Sequence, residues 1–353
     1  MPCENASMSL GRAPLGAAAS LAAIAIASTL LGCVHVRGAP ASPPSRAGEP
    51  YVELPASASV GALAIDDEAI YWVDPQRALV MRMHKDGNDR VVLFDVAAAS
   101  LDRVLVEVPI DLTLDGDYVF VTTNRRPSES DRERGIDVGG RIVRVGKRGG
   151  PAIVLADDPE LYPFGIASFG AFVYWTARGG AGAVERASKS GGSVAVLAAG
   201  QPHPGSIAVD DTSIFWGNDA DVGAGDGALK RIPIGGGGAL TRAASQPGAI
   251  GRIVLDAGSV YWTNDRGAMA VPKAGGSVVP IALGAASIAV DGDAIYWARL
   301  GEGGLVDAIM MRSRTDATST AIASWGEAMT TDLFVDRGAV FFGELGSVVR
   351  MPR

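Results

Sequence analysis

The feature that most constrains this chain is a motif said seven times. "SIAVDGDAIYWAR" runs from Ser287 to Arg299, "SIAVDDTSIFWGN" from Ser206 to Asn218, and "RIVLDAGSVYWTN" from Arg252 to Asn264. Aligned on the Trp, the column reads Trp72, Val121, Trp175, Trp216, Trp262, Trp297, Phe342. One residue earlier every copy is aromatic: Tyr71, Phe120, Tyr174, Phe215, Tyr261, Tyr296, Phe341. Two earlier every copy is β-branched, from Ile70 to Val340. Six earlier stand Asp66, Asp115, Phe169, Asp210, Asp256, Asp291 and Asp336, with Phe169 alone breaking the pattern. A unit repeated at this spacing cannot bury its apolar face alone. It has to stack on its own copies.

Each copy reads as four short strands. The first alternates large and small apolar residues, as in Ile207-Ala208-Val209, and a tight turn follows at Asp66-Asp67, Asp115-Gly116 or Asp291-Gly292. The aromatic strand comes second. A third strand such as "ALKRIPI" (Ala228 to Ile234) leads through a Lys-Gly-Gly type turn, at Lys147, Lys189 and Lys273, to a short fourth. No stretch after the N-terminal segment keeps a 3.6-residue period, so helix is not expected. Four strands in each unit of about 40–45 residues mark a propeller blade, and 51–353 holds seven such units. The predicted fold is therefore all-β, a seven-bladed β-propeller, with six or eight blades as alternatives. The seventh copy ends at Arg353 with three strands, while Tyr51-Val52-Glu53-Leu54 precedes the first copy where a fourth strand would lie. That segment is expected to pair with the last strand and close the ring, because an open edge invites aggregation.

The N-terminus is of another kind. Residues 13–32, "APLGAAASLAAIAIASTLLG", are small and apolar behind Arg12, as in a secretory signal. The end of the run, Leu30-Leu31-Gly32-Cys33, resembles the lipobox of bacterial lipoproteins. That resemblance implies a cleaved signal at 1–32 and acylation, palmitate included, at Cys33. With Val34 and not Asp next to the Cys, it also implies outer-membrane sorting. Glu4 is atypical of the charged region of a signal, and a start at Met8 would remove it. A transmembrane helix of about 20 residues is the alternative. Residues 33–50 lack periodicity and are rich in Pro, Ala and Ser, as in a tether. The expected location is the cell envelope, extracytoplasmic and lipid-anchored.

The Tyr-Trp-Thr cores at Tyr261-Trp262-Thr263 and Tyr174-Trp175-Thr176 resemble the YWTD repeats of low-density-lipoprotein-receptor propellers. Similar repeats occur in bacterial propeller lipoproteins. The resemblance covers nearly all of 51–353 and implies a propeller, although those receptor propellers have six blades. The Asp of that motif is here Asp74, Asn218, Asn264, Arg299 or Glu344, so its blade-locking role does not transfer evenly.

Chemistry is sparse. The formal net charge of −8 does not suit a nucleic-acid partner. The only cysteines are Cys3 and Cys33, and the three histidines, His35, His84 and His203, lack metal-ligand spacing. No nucleophile elbow or phosphate loop is present, and the Asp-rich turns do not match a Ca²⁺ loop. No cofactor, metal or catalytic set is expected. What remains is one face of the disc, where the loops after the second strand meet the blade-to-blade connections around the channel. The candidate binding residues there are Asn124, Arg125, Asn218, Asp219, Asn264, Asp265, Arg266, Arg299, Glu344 and Trp325, beside Asp74, Arg178 and Glu302 in the loops and Glu160, Tyr162, His203 and Glu327 in the blade connections. The charged segment Asn124 to Gly140 is too long for a hairpin and reads as a docking flap or a disordered surface loop. Two readings follow. One is a non-catalytic module binding an envelope protein or glycan. The other is a propeller enzyme, such as a lyase, glycan hydrolase or cofactor-dependent dehydrogenase, with converging carboxylates in the channel.

Overall fold

The computed structural model describes residues 59–99, 106–126, 139–158, 161–219, 226–315, 318–328, 330–344 and 347–353. It is a seven-bladed propeller without helix among these residues. Six sheets have four antiparallel strands and the seventh has three. In chain order the innermost strands are Leu63–Ile65, Val106–Asp115, Pro163–Phe169, Pro204–Val209, Ile253–Leu255, Ala285–Val290 and Thr330–Val335. Each touches the inner strand of the next blade, and the first touches the last. The proposed closing strand at Tyr51 to Leu54, the signal and the tether lie outside the described residues.

The repeat columns explain the packing. The residue nine before the Trp column pairs directly across from it, as in Leu63 with Trp72, Ile207 with Trp216 and Ile288 with Trp297. This column is Leu or Ile in every copy and is buried throughout. The hydrophobic core divides into seven clusters, one per seam. Phe120 of blade 2 shares a cluster with Trp175 of blade 3, and Tyr174 of blade 3 with Trp216 of blade 4. Phe215 and Trp262, Tyr261 and Trp297, and Tyr296 and Phe342 repeat the arrangement. Phe341 with Trp72 closes the circle from blade 7 to blade 1, and Tyr71 with Val121 completes the set. Trp175, Trp216 and Trp262 are wholly inaccessible. The two aromatic columns are thus the two halves of an inter-blade joint.

The Asp column does more than turn the chain. Oδ1 of Asp66, Asp210, Asp256, Asp291 and Asp336 accepts the backbone N–H three residues on, as turn chemistry predicts. The second oxygen reaches a cation of the following blade. Lys147 pairs with Asp66 at 2.8 Å, Lys273 with Asp210 at 2.5 Å and Arg314 with Asp256 at 2.6 Å. Lys189 pairs with Asp115 and Arg353 with Asp291. Several of these cations also sit over the preceding blade's aromatic, Lys147 at 5.7 Å from the Tyr71 centroid and Arg314 at 5.6 Å from that of Tyr261. Blade 3 carries Phe169 at the Asp position, and blade 4 carries Ile234 at the cation position. Ile234 keeps the backbone bond of the cations: its N–H donates to Thr212 as that of Lys147 does to Asp117. One seam of seven is therefore without the charged latch.

Candidate functional site

The inner strands carry a column that sequence inspection passed over. Ten residues before the Trp column stand Ala62, Asp111, Gly165, Ser206, Arg252, Ser287 and Asp332. Blades converge toward the axis, so this column is mostly small. Ser206 Oγ accepts the N–H of Ile253 and Ser287 Oγ that of Leu333, each in the next blade. Asp111 does the same for Ile166 at 3.0 Å and also accepts its neighbour Leu112 at 2.8 Å. Arg252 and Asp332 break the pattern. The Arg252 guanidinium reaches from blade 5 to Asp332 of blade 7, Nη1 to Oδ1 3.1 Å, and lies 3.8 Å from the centroid of Phe334. Phe334 itself stands where the other copies carry Ala, Thr or Val.

Asp111 and Asp332 are close enough to feel each other's charge. Burial and then the Asp332 carboxylate push the Asp111 carboxyl up to about 7, against the pull of the Ile166 and Leu112 N–H groups and of Arg252. Two carboxylates and a guanidinium therefore meet in the channel. They were legible only as charge in a small-residue column.

A second cluster stands at the channel mouth between blades 3 and 4. Arg178 Nη2 donates to Asp219 Oδ2 at 2.7 Å and Nε to the Pro204 carbonyl at 3.0 Å. The guanidinium lies 3.6 Å from the Phe164 centroid. Burial lifts the Asp219 carboxyl above its ordinary range, offset in part by the charges of Arg178 and His203 and by the N–H of Ile250. Tyr162 and His203, in the two blade connections, accept the backbone N–H groups of Arg178 and Asp219 through their carbonyls.

The remaining candidates are placed differently. Asn124 and Asn218 are buried, 4% and 3% exposed. Asn218 accepts Trp216 Nε1 and donates to Gln201, so it anchors the Trp column from above. Gly140 lies so close to Asn124 that a Cβ there would meet Oδ1 at 2.7 Å. Asn264 caps its own turn through the N–H groups of Arg266 and Gly267, leaving Asp265 and Arg266 exposed at the tip. Arg299 is held by both oxygens of Asp307, and Arg125 by Asp157 at 2.6 Å. At the base of the segment after Asn124, Arg141 grips the buried Glu107 through both nitrogens of its fork, and Thr123 donates to the same carboxylate. That group reads as a buried brace for the long strands of blade 2. The strands containing Trp325 and Glu344 are described, but their side chains lie outside the described residues, as does Cys33. Among the described residues no group of three or more His, Cys, Asp and Glu is placed to hold a metal ion.

No protein-family model and no curated protein matches the chain. Solved structures do. A catalytically inactive virginiamycin B lyase from Staphylococcus aureus, solved with quinupristin, aligns with TM-score 0.62 at 14% identity over 86% of this chain and 99% of that one. YCF48 bound to a D1 peptide aligns with TM-score 0.61 at 13% identity over 86% and 97%. The computationally designed Ika8 protein aligns with TM-score 0.58 at 11% identity over 87% and 100%. At these identities the likeness is one of fold. A lyase, a peptide-bound protein and a design share it, so it does not choose a function.

Proposed function

We propose that the chain is an envelope-anchored, non-catalytic propeller that uses its channel-mouth face to bind proteins or glycans. One observation carries the reading. Most charged side chains at the channel and its mouth are spent on each other, Arg178 with Asp219, Arg252 with Asp332, Arg299 with Asp307 and Arg125 with Asp157, while Asp265 and Arg266 stand exposed. Such pairs make a rigid, patterned surface and hold few free acids or bases at the ready. The lipobox-like Cys33 fixes the disc to a membrane in this proposal, and the Pro-rich 34–50 gives it reach. The YWTD-like repeat supplies the scaffold. Crosslinking in intact cells should recover a discrete partner, and Cys33→Ala should abolish incorporation of labelled fatty acid. A protein that captures nothing, while its purified form turns over a metabolite, refutes the reading.

A second reading rests on Asp111. A carboxyl pushed up to about 7 beside a second carboxylate suits proton transfer near neutral pH. Turnover lost in Asp111→Asn and Asp332→Asn, with unfolding midpoints unchanged, would establish it.

A further inference from the structure

The propeller's copies act as controls for one another, and at one position they disagree. Thirteen residues before the Trp column, Tyr162, His203 and Gly284 hold left-handed backbone at φ 30°, 40° and 59°. Each performs the same task. The Tyr162 carbonyl accepts the N–H of Arg178 at 3.0 Å, that of His203 accepts Asp219 at 3.1 Å, and that of Gly284 accepts Leu300 at 2.7 Å. Glycine meets this backbone requirement without a Cβ penalty, whereas Tyr and His meet it under strain. Both side chains are exposed, and neither makes a hydrogen bond to a described residue. The fold needs the backbone shape there but not the two rings.

The same backbone bonds set Tyr162 beside Arg178 and His203 beside Asp219, the two members of an ion pair. Tyr162 is within electrostatic reach of Arg178, and His203 of Asp219. The pair is only partly covered, with Arg178 19% and Asp219 15% exposed, so it is open to a ligand. We infer that Tyr162, His203, Arg178 and Asp219 form a binding site for a neutral saccharide unit. This rests on the docking reading above and places it at one point of the face. A matched guanidinium and carboxylate offer donors and an acceptor side by side, which suits vicinal hydroxyls that both donate and accept. A sugar ring's C–H face is apolar and stacks on a ring such as Tyr162. An anionic ligand would meet the Asp219 carboxylate and a cationic one Arg178, and either would have to break the pair.

The test uses the full-length protein in detergent micelles on an array of immobilised neutral oligosaccharides, acidic oligosaccharides and peptides, followed by calorimetric titration of the strongest neutral binder. The expected result is selective capture of neutral oligosaccharides. Tyr162→Gly and His203→Gly should each weaken that binding about tenfold. Their Tm should be unchanged or raised by about 2 °C, because glycine relieves the backbone. Preference for peptides or acidic glycans, a blank array, or full affinity in both glycine variants overturns the assignment. Partner capture in cells that persists in the double glycine variant ends the saccharide site while leaving the docking reading intact. Metabolite turnover without any capture ends the docking reading itself.

Discussion

Lys85 Nζ lies 2.5 Å from Asp336 Oδ2, and so the first blade is fastened to the last by the same latch that joins their neighbours. The ammonium also sits 5.4 Å from the centroid of Phe341, the aromatic of blade 7. Ring closure is thus visible in side chains 251 residues apart, independently of any closing strand. Lys85→Ala should lower stability by about 0.5–1 kcal/mol, as for a partly exposed ion pair. The urea midpoint reads it, and Asp336→Asn should add little in the Lys85→Ala background.

The latches set an acid limit. Burial acts to raise the carboxyls of Asp66, Asp210, Asp256 and Asp336, but the neighbouring cation and turn N–H groups outweigh it and hold each below its ordinary range. A depressed carboxyl stabilises the fold above its unfolded pKa of about 4 and loses that contribution as pH falls through the folded value. Unfolding midpoints should therefore drop steeply below about pH 4. The quadruple Asp→Asn variant should show a flatter profile there, measured by thermal melts from pH 2.5 to pH 6.

Asp111 has the opposite sign. Its carboxyl is raised to about 7, so the folded state holds a proton that the unfolded chain has released. Stability from this site is lost as pH climbs from about 4 to about 7. Asp111→Asn should remove that slope, gaining over wild type at pH 8 and not at pH 4. Equal differences at both pH values would contradict the raised carboxyl.

The unlatched seam offers a direct construction. Phe169→Asp alone or Ile234→Lys alone should destabilise, because each leaves a lone charge beside an apolar seam. Together they recreate the latch found elsewhere. The double-mutant cycle should return a favourable coupling of about 0.5–1 kcal/mol.

Trp262 tests the joint itself. It is wholly buried in the cluster that it shares with Phe215 of the preceding blade. Trp262→Ala should cost about 3–5 kcal/mol, and Trp262→Phe much less. Chemical denaturation measures both.

The sequence made the blade legible because packing repeats. A Trp needed at each seam recurs in the alignment, and so do the Leu or Ile across from it and the aromatic that meets it from the next blade. The Asp column was legible as turn chemistry, but its second oxygen was not. The partner cations recur in the third-strand turns, at Lys85, Lys147, Lys189 and Lys273, and pairing them across blades takes three-dimensional register. The candidate face was readable as a region, and Asp219 and Arg178 do meet there. Asn124 and Asn218 look polar and free in sequence yet fill covered positions at strand ends. Asp111, Arg252 and Asp332 were hidden because they do not repeat, and a consensus discards what differs. Tyr162 and His203 were suggested by their place in the blade connections, but left-handed backbone in a non-glycine residue leaves no mark in the letters.

The Phe169–Ile234 substitution takes the acid-sensitive latch out of one boundary of the disc, leaving Arg178–Asp219 at the channel mouth as an ion pair that still crosses it. At neutral pH it is the odd member of the circle, apolar at the latch position where its six counterparts are ionically fastened. In strong acid that distinction vanishes, since the other carboxyls are discharged. The first blade boundary to part should therefore depend on acidity: a fixed place near neutrality, and no favoured place once the carboxyls are neutral.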